Sequence, residues 1–262
     1  MVKFWGMEHK FSEILQNVEG HGEGENNIRE CPGFAYDDSL KWVEGTHQRK
    51  GVVRKKHKMY EPLAKDLLEK NKDKKLWLEL GAGPGCLSWY LRWLGVGVHT
   101  VTLDINKDAP NFSKYLDHNH FICYTDRPYQ IQLEDQDVKF DMIISYEHFE
   151  HIPPIRLNTF LGNIKKHSHK DTIINCTCSN KKNRVDLSNL KPNVIIEDIN
   201  NDYSDIKDGD FASHQSIFSR EKWVEMFDEN GFKVLEETYL NEENCPPNFT
   251  LENTMEFTLK LK

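Results

Sequence analysis

The stretch "LELGAGPGCLSWYL", residues 78–91, sets three glycines at alternate positions, Gly81, Gly83 and Gly85, between two segments of different periodicity. Ahead of them "LWLEL" is a continuous apolar run, the pattern of a strand buried on both faces. Behind them Leu87, Tyr90, Leu91 and Leu94 recur at i, i+3, i+4 and i+7, one face of a helix. A strand, a turn that tolerates positive φ and a helix in that order constrain the fold strongly. They place a backbone open to close approach at the carboxyl end of a strand in an α/β sheet.

The rest of the chain repeats the alternation. Leu63, Leu67 and Leu68 in "MYEPLAKDLLEKNKD" have helical spacing, and "VHTVTLD" is a strand ending at Asp104. "HFICYTD" and "FDMIISY" read as further strands, followed by a helix marked by Leu157, Phe160, Leu161 and Ile164, and by the strand "DTIINCTC". Ser219 caps a helix that stops at Gly231, and "FKVLEE" and "MEFTLKL" end the chain as strands. Strands alternating with helices predict an α/β fold with a mainly parallel sheet. Residues 1–60 lack this rhythm and read as an N-terminal extension capping the acceptor site of a domain over 61–262. Gly20, Gly22 and Gly24 lie there without a preceding strand, as a connector. The polar segment from Ser179 to Ser213 is long enough to form another wall of the site.

Charge narrows the partners. The 262 residues carry a formal net charge of −8, which opposes general binding to a phosphate backbone. The local exception, "HQRKGVVRKKHK", concentrates Arg49, Lys50, Arg54, Lys55, Lys56 and Lys58, and reads first as a solvated face and second as a polyanion contact. No run of 18 apolar residues and no N-terminal apolar core occurs, so neither a membrane span nor a signal peptide is expected, and the location expected is cytoplasmic. The six cysteines form no C-x-x-C pair, which favours reduced thiols over zinc or redox chemistry.

Asp104, at the tip of the second strand, can accept hydrogen bonds from two ribose hydroxyls, as any nucleoside-containing cofactor requires. The pattern E-x-G-x-G-x-G from Glu79 to Gly85 differs from the dinucleotide spacing G-x-G-x-x-G. Glu79 would repel a pyrophosphate and suits a cationic ligand. This segment resembles the first motif of class I S-adenosylmethionine-dependent methyltransferases, and Asp104 resembles their ribose-binding acid. "FDMIISYEHFEHIPP" looks like the fourth motif of that family, and "HQSIFSREKWVEMFDENGFKV" like its late His, helix and "GF" passage. The resemblance covers roughly residues 60–262. It implies a Rossmann-like sheet with an antiparallel C-terminal strand, S-adenosyl-L-methionine as cofactor, and contacts from Glu79, Gly81, Gly83, Gly85 and Asp104, with Asp126 at the adenine.

"YEHFEHI" holds Glu147, His148, Glu150 and His151 after the fourth strand of this scheme. If the segment turns helically, Glu147, Glu150 and His151 share one face at i, i+3 and i+4 and can converge on Mg²⁺ or Mn²⁺. The alternative is a structural Glu150–His151 pair with Glu147 at the surface. E-x-x-E-H at this place resembles the ubiquinone-biosynthesis O-methyltransferases and the small-RNA 3′-terminal 2′-O-methyltransferases. That resemblance implies a divalent ion on Glu147, Glu150 and His151, joined by His214. The further basic and partner-binding segments of the RNA enzymes are not recognisable here. A hydroxyl acceptor must lose its proton, and His148, His151 and His214 are the candidate bases. The expected reaction is methyl transfer to a hydroxyl of a small molecule or sugar. The alternatives are RNA 2′-O-methylation and cofactor binding without chemistry.

Overall fold

The computed structural model describes residues 2–4, 7–9, 50–83, 85–104, 119–133, 136–179, 216, 218–240 and 254–262. Two short strands, β1 (Val2–Phe4) and β2 (Met7–His9), pair antiparallel. Helix α1 (Lys50–Lys70) carries the chain across residue 60 and takes the backbone of Lys50–Lys58 into its first turns. The side chains of the basic run lie outside the described residues. Then follow β3 (Leu76–Leu80), α2 (Cys86–Leu94), β4 (His99–Asp104), β5 (Asn119–Ile122) and a small hairpin of β6 (Gln132–Leu133) and β7 (Gln136–Asp137). β8 (Phe140–Ser145), α3 (Leu157–Lys166), β9 (Ser168–Ser179), α4 (Arg220–Glu229), β10 (Phe232–Tyr239) and β11 (Thr254–Leu261) complete the order.

Seven of these strands form one sheet in the order β10-β11-β9-β8-β3-β4-β5. From β9 through β8, β3 and β4 to β5, every neighbouring pair is parallel. β11 is antiparallel to both β9 and β10. Strand order reverses between β3 and β8, the place where an open α/β sheet leaves a crevice at its carboxyl edge.

Alternation along each strand feeds two cores. Trp77, Met142 and Ile144 pack with Leu63, Ala64 and Leu67 of α1 and with Leu87, Tyr90 and Leu91 of α2. Leu78, Leu80, Val101, Leu103 and Ile143 face the other way, toward Leu157, Phe160, Leu161 and Ile164 of α3 and Trp223, Met226 and Phe227 of α4. Burial on both faces is why β3 reads as an unbroken apolar run. Cys176 and Cys178, two apart on β9, are both buried in the second core, and with Cys123 they are free thiols. Among the described residues no helix is long and apolar enough to cross a membrane.

Candidate functional site

The glycine turn hangs from the end of β4. Gly81 and Ala82 donate their N–H groups to Leu103 O at 2.9 and 3.2 Å, and Gly83 donates to Asp104 Oδ2 at 2.7 Å. Gly81, Gly83 and Gly85 have φ of 67°, 53° and 76°, conformations that cost a side-chain-bearing residue free energy. The two glycines at the front differ in surroundings. A Cβ on Gly83 would meet no heavy atom within 4 Å, whereas one on Gly81 would stand 2.2 Å from His148 Cγ. Gly83 is therefore open to a ligand, and Gly81 is small because an imidazole lies on it.

Strand alternation turns Glu79 toward α2, where its Oε2 accepts from Ser88 N at 3.1 Å. Gly85, the N-cap residue, has no side chain to cap α2, so this carboxylate from β3 serves the orphan N–H. Burial pushes the Glu79 carboxyl up to about 7, with the hydrogen bonds from Ser88 opposing and Asp104 adding to the rise.

Beyond β5 the loop Thr125–Arg127 lies at the same carboxyl edge. Asn163 of α3 donates Nδ2 to Thr125 O at 3.0 Å and to Arg127 O at 2.7 Å. Asp126 stands 3.4 Å from Arg156 Nη1; burial raises its carboxyl above the usual range, against the pull of Arg156 and Arg127. Arg127 lies over the Tyr124 ring, 4.2 Å from its centroid. His148 also reaches this loop, its Nε2 sharing a 2.7 Å hydrogen bond with Thr125 Oγ1. Phe160 meets the imidazole edge-on at 5.7 Å. Burial, with His151 nearby, lowers the His148 pKa to about 3, so the ring is neutral at physiological pH.

Thr125 and Asn163 are absent from the sequence-derived set. Asn163 did leave a signal: a polar residue three positions after Phe160, on the apolar stripe of α3, which is buried. Thr125 left none.

The segment after β8 departs from the helical turn expected of it. Glu147 is left-handed, with φ of 53°, and its N–H goes to Thr177 Oγ1 on β9 at 2.7 Å. Only then does a single 3₁₀ turn form, Phe149–His151, and Pro153 and Pro154 follow it. Glu147, Glu150 and His151 thus do not line one α-helical face: Glu147 is exposed, Glu150 is 2% exposed, and His151 is half-buried. Among the described residues, no three His, Cys, Asp or Glu side chains gather into a set that could hold a metal ion. His214, the fourth expected ligand, lies outside them. The α-helical face expected to present the ion's ligands is therefore not formed.

The profile of a family described as a methyltransferase domain matches residues 47–237. Among solved structures, an S-adenosylmethionine-dependent methyltransferase from Clostridium acetobutylicum is 14% identical with a TM-score of 0.55, covering 86% of this chain and 98% of that one. A protein from Pyrococcus horikoshii is 16% identical with a TM-score of 0.56, over 88% of this chain and all (100%) of its own. The 1,6-didemethyltoxoflavin-N1-methyltransferase of Burkholderia thailandensis, solved with S-adenosylhomocysteine and 1,6-didemethyltoxoflavin, is 13% identical with a TM-score of 0.52, over 86% and 87%. No curated protein sequence matches significantly. At such identities the likeness is one of fold: a Rossmann-like sheet of mainly parallel strands with an antiparallel C-terminal strand.

Proposed function

We propose that this chain, which belongs to the methyltransferase-domain family, moves a methyl group from S-adenosylmethionine to a hydroxyl of a small molecule or a sugar. The observation that carries the cofactor reading is the 2.7 Å contact of Gly83 N with Asp104 Oδ2 at the carboxyl edge of the sheet. It joins an open turn to a strand-end acid, the two features that a ribose and its substituents need in one place. Gly83 leaves space for a close backbone approach, and Asp104 is the acceptor for the ribose hydroxyls. Asp126, on the loop after β5, suits the adenine end, and the buried carboxyl of Glu79 favours a ligand with positive charge.

When bound, S-adenosylmethionine supplies a methyl group on a sulfonium, already activated for in-line displacement. What remains for the protein is to position the acceptor and manage one proton. A hydroxyl is a poor nucleophile while protonated, so a base beside the cleft raises its reactivity. His148 is too weak for this at a pKa of about 3. His151, half-buried in the same turn, is the base assigned here, with His214 its alternative.

Calorimetry with S-adenosylhomocysteine tests the cofactor. Asp104→Ala should weaken binding at least about tenfold, the usual cost of losing a hydrogen bond to a charged acceptor. Native affinity in the variant, or tight binding of NAD by the unaltered protein, overturns the reading. Labelled methyl transfer across a panel of hydroxyl and amine acceptors separates O- from N-transfer, and absence of turnover across the panel favours a binding protein. Exhaustive chelation tests the metal: turnover that survives it makes the segment from Glu147 to His151 structural. Loss of activity that Mg²⁺ or Mn²⁺ restores would return Glu147, Glu150, His151 and His214 to the reaction as ligands.

A further inference from the structure

We infer that His148 is a positioning residue: its ring braces the glycine turn against the Thr125–Arg127 loop and so fixes the width of the cofactor cleft. The inference rests on the cofactor reading above, because the two parts it joins are those assigned to the ribose and to the adenine of the same ligand. His148 belongs to neither part. It stands on the segment after β8, and the parallel register that sets Glu79 beside Ile144 brings that segment alongside the glycine turn.

Each contact of the ring has a distinct consequence. Toward β3 it covers Gly81 so closely that a Cβ there would lie 2.2 Å from Cγ and 2.3 Å from Nδ1. Toward β5 it holds Thr125 Oγ1 at 2.7 Å. Phe160 of α3 meets the ring edge-on, and the same helix holds the loop through Asn163. The loop is thus bonded to both α3 and the imidazole, and the imidazole is seated on the turn. A neutral ring suits this task. It has one donor and one acceptor nitrogen, and it can be packed against apolar neighbours without an unpaired charge. Thr125 is itself buried, so its hydroxyl depends on this partner.

The test uses His148→Leu, His148→Gln and Thr125→Val in the full chain, with S-adenosylhomocysteine affinity by calorimetry and steady-state turnover at saturating cofactor. His148→Leu and Thr125→Val each remove the bond across the cleft. Both should raise the Kd and the cofactor KM about tenfold, while kcat at saturation stays near native. The Gln amide reaches the place of Nε2 and keeps the bond, so His148→Gln should stay within about threefold of native in both quantities. The double variant, His148→Leu with Thr125→Val, should bind no more weakly than either single one, the mark of a shared interaction. Thr125→Val alters only a hydroxyl, so it carries the test if His148→Leu fails to fold.

Native affinity in both His148→Leu and Thr125→Val overturns the brace. So does a His148→Gln variant with native affinity but collapsed kcat and a lost acid limb in its pH profile, which would make His148 a base. If the unaltered protein does not bind S-adenosylhomocysteine, the cofactor reading fails and the brace falls with it. If it binds and only the variants behave natively, the brace alone fails.

Discussion

A carboxylate only 6% exposed is costly to ionise, and Glu79 accepts that cost beside the amide of Ser88. Its pKa of about 7, against the ordinary 4.5, means the folded chain holds this proton more tightly than the unfolded one. The group's contribution to stability is therefore complete below about pH 4.5 and is lost as pH rises through 7. Glu79→Gln keeps an acceptor for Ser88 and has nothing to ionise. Its Tm should change less between pH 5 and pH 8 than that of the unaltered protein by about the size of this one-proton effect, measured by scanning calorimetry. An unchanged slope would mean that other groups set the pH dependence. The alternate glycines announce a left-handed turn, and all three do have positive φ. What lies on Gly81 was unreadable, because His148 reaches it through strand register rather than local spacing.

At the scale of elements, α4 shows how far local signals go. Ser219 caps it by accepting from Lys222 N at 3.3 Å, and Gly231 leaves it with φ of 84°, both as the sequence indicates. Most of what the helix contributes comes from elsewhere. Trp223 is fully buried among Phe149, Phe218 and Phe227, and its Nε1 donates to Ser179 O at the end of β9 at 2.9 Å. Trp223→Ala should cost about 3–5 kcal/mol and Ser219→Ala about 1 kcal/mol in denaturant unfolding. Similar losses in both would mean that the tryptophan site collapses to fill its own cavity. The segment after β8 shows the opposite case. Its carboxylates and imidazole have helical spacing, yet Thr177 takes the N–H of Glu147 from 30 positions away in sequence. Two successive prolines then restrict the backbone ahead of α3. Periodicity reports a helix only where no distant partner competes for the first amide.

For the whole molecule the charge balance is the property that bears on the acceptor. A chain of net charge −8 should repel a polyanion unless a local basic face overcomes it. The acceptor KM is accordingly expected to vary less than about threefold between 50 and 200 mM salt, whereas an RNA acceptor neutralising several phosphates would lose orders of magnitude over that range. A steep salt dependence would transfer the reading to RNA and give the Lys50–Lys58 run a role. Charge and alternation of elements were both visible in the sequence, and so was the sheet they build. The sequence also placed the glycine turn, the loop of Asp126 and the segment after β8 at its carboxyl edge; the contact of His148 with both of the others was not visible, since it depends on how β8 is set against β3.

The reversed direction of β11 has a practical corollary. Thr254 lies beside Ser179 at the carboxyl end of β9, and the strand then runs back until Lys262 donates its N–H to Gly231 O at 3.0 Å. Lys262 consequently stands on the side of the sheet opposite the glycine turn. A biotin or dye attached there is a handle on the back of the molecule. On a sensor surface, a chain captured by that handle would meet the flowing ligand mouth first.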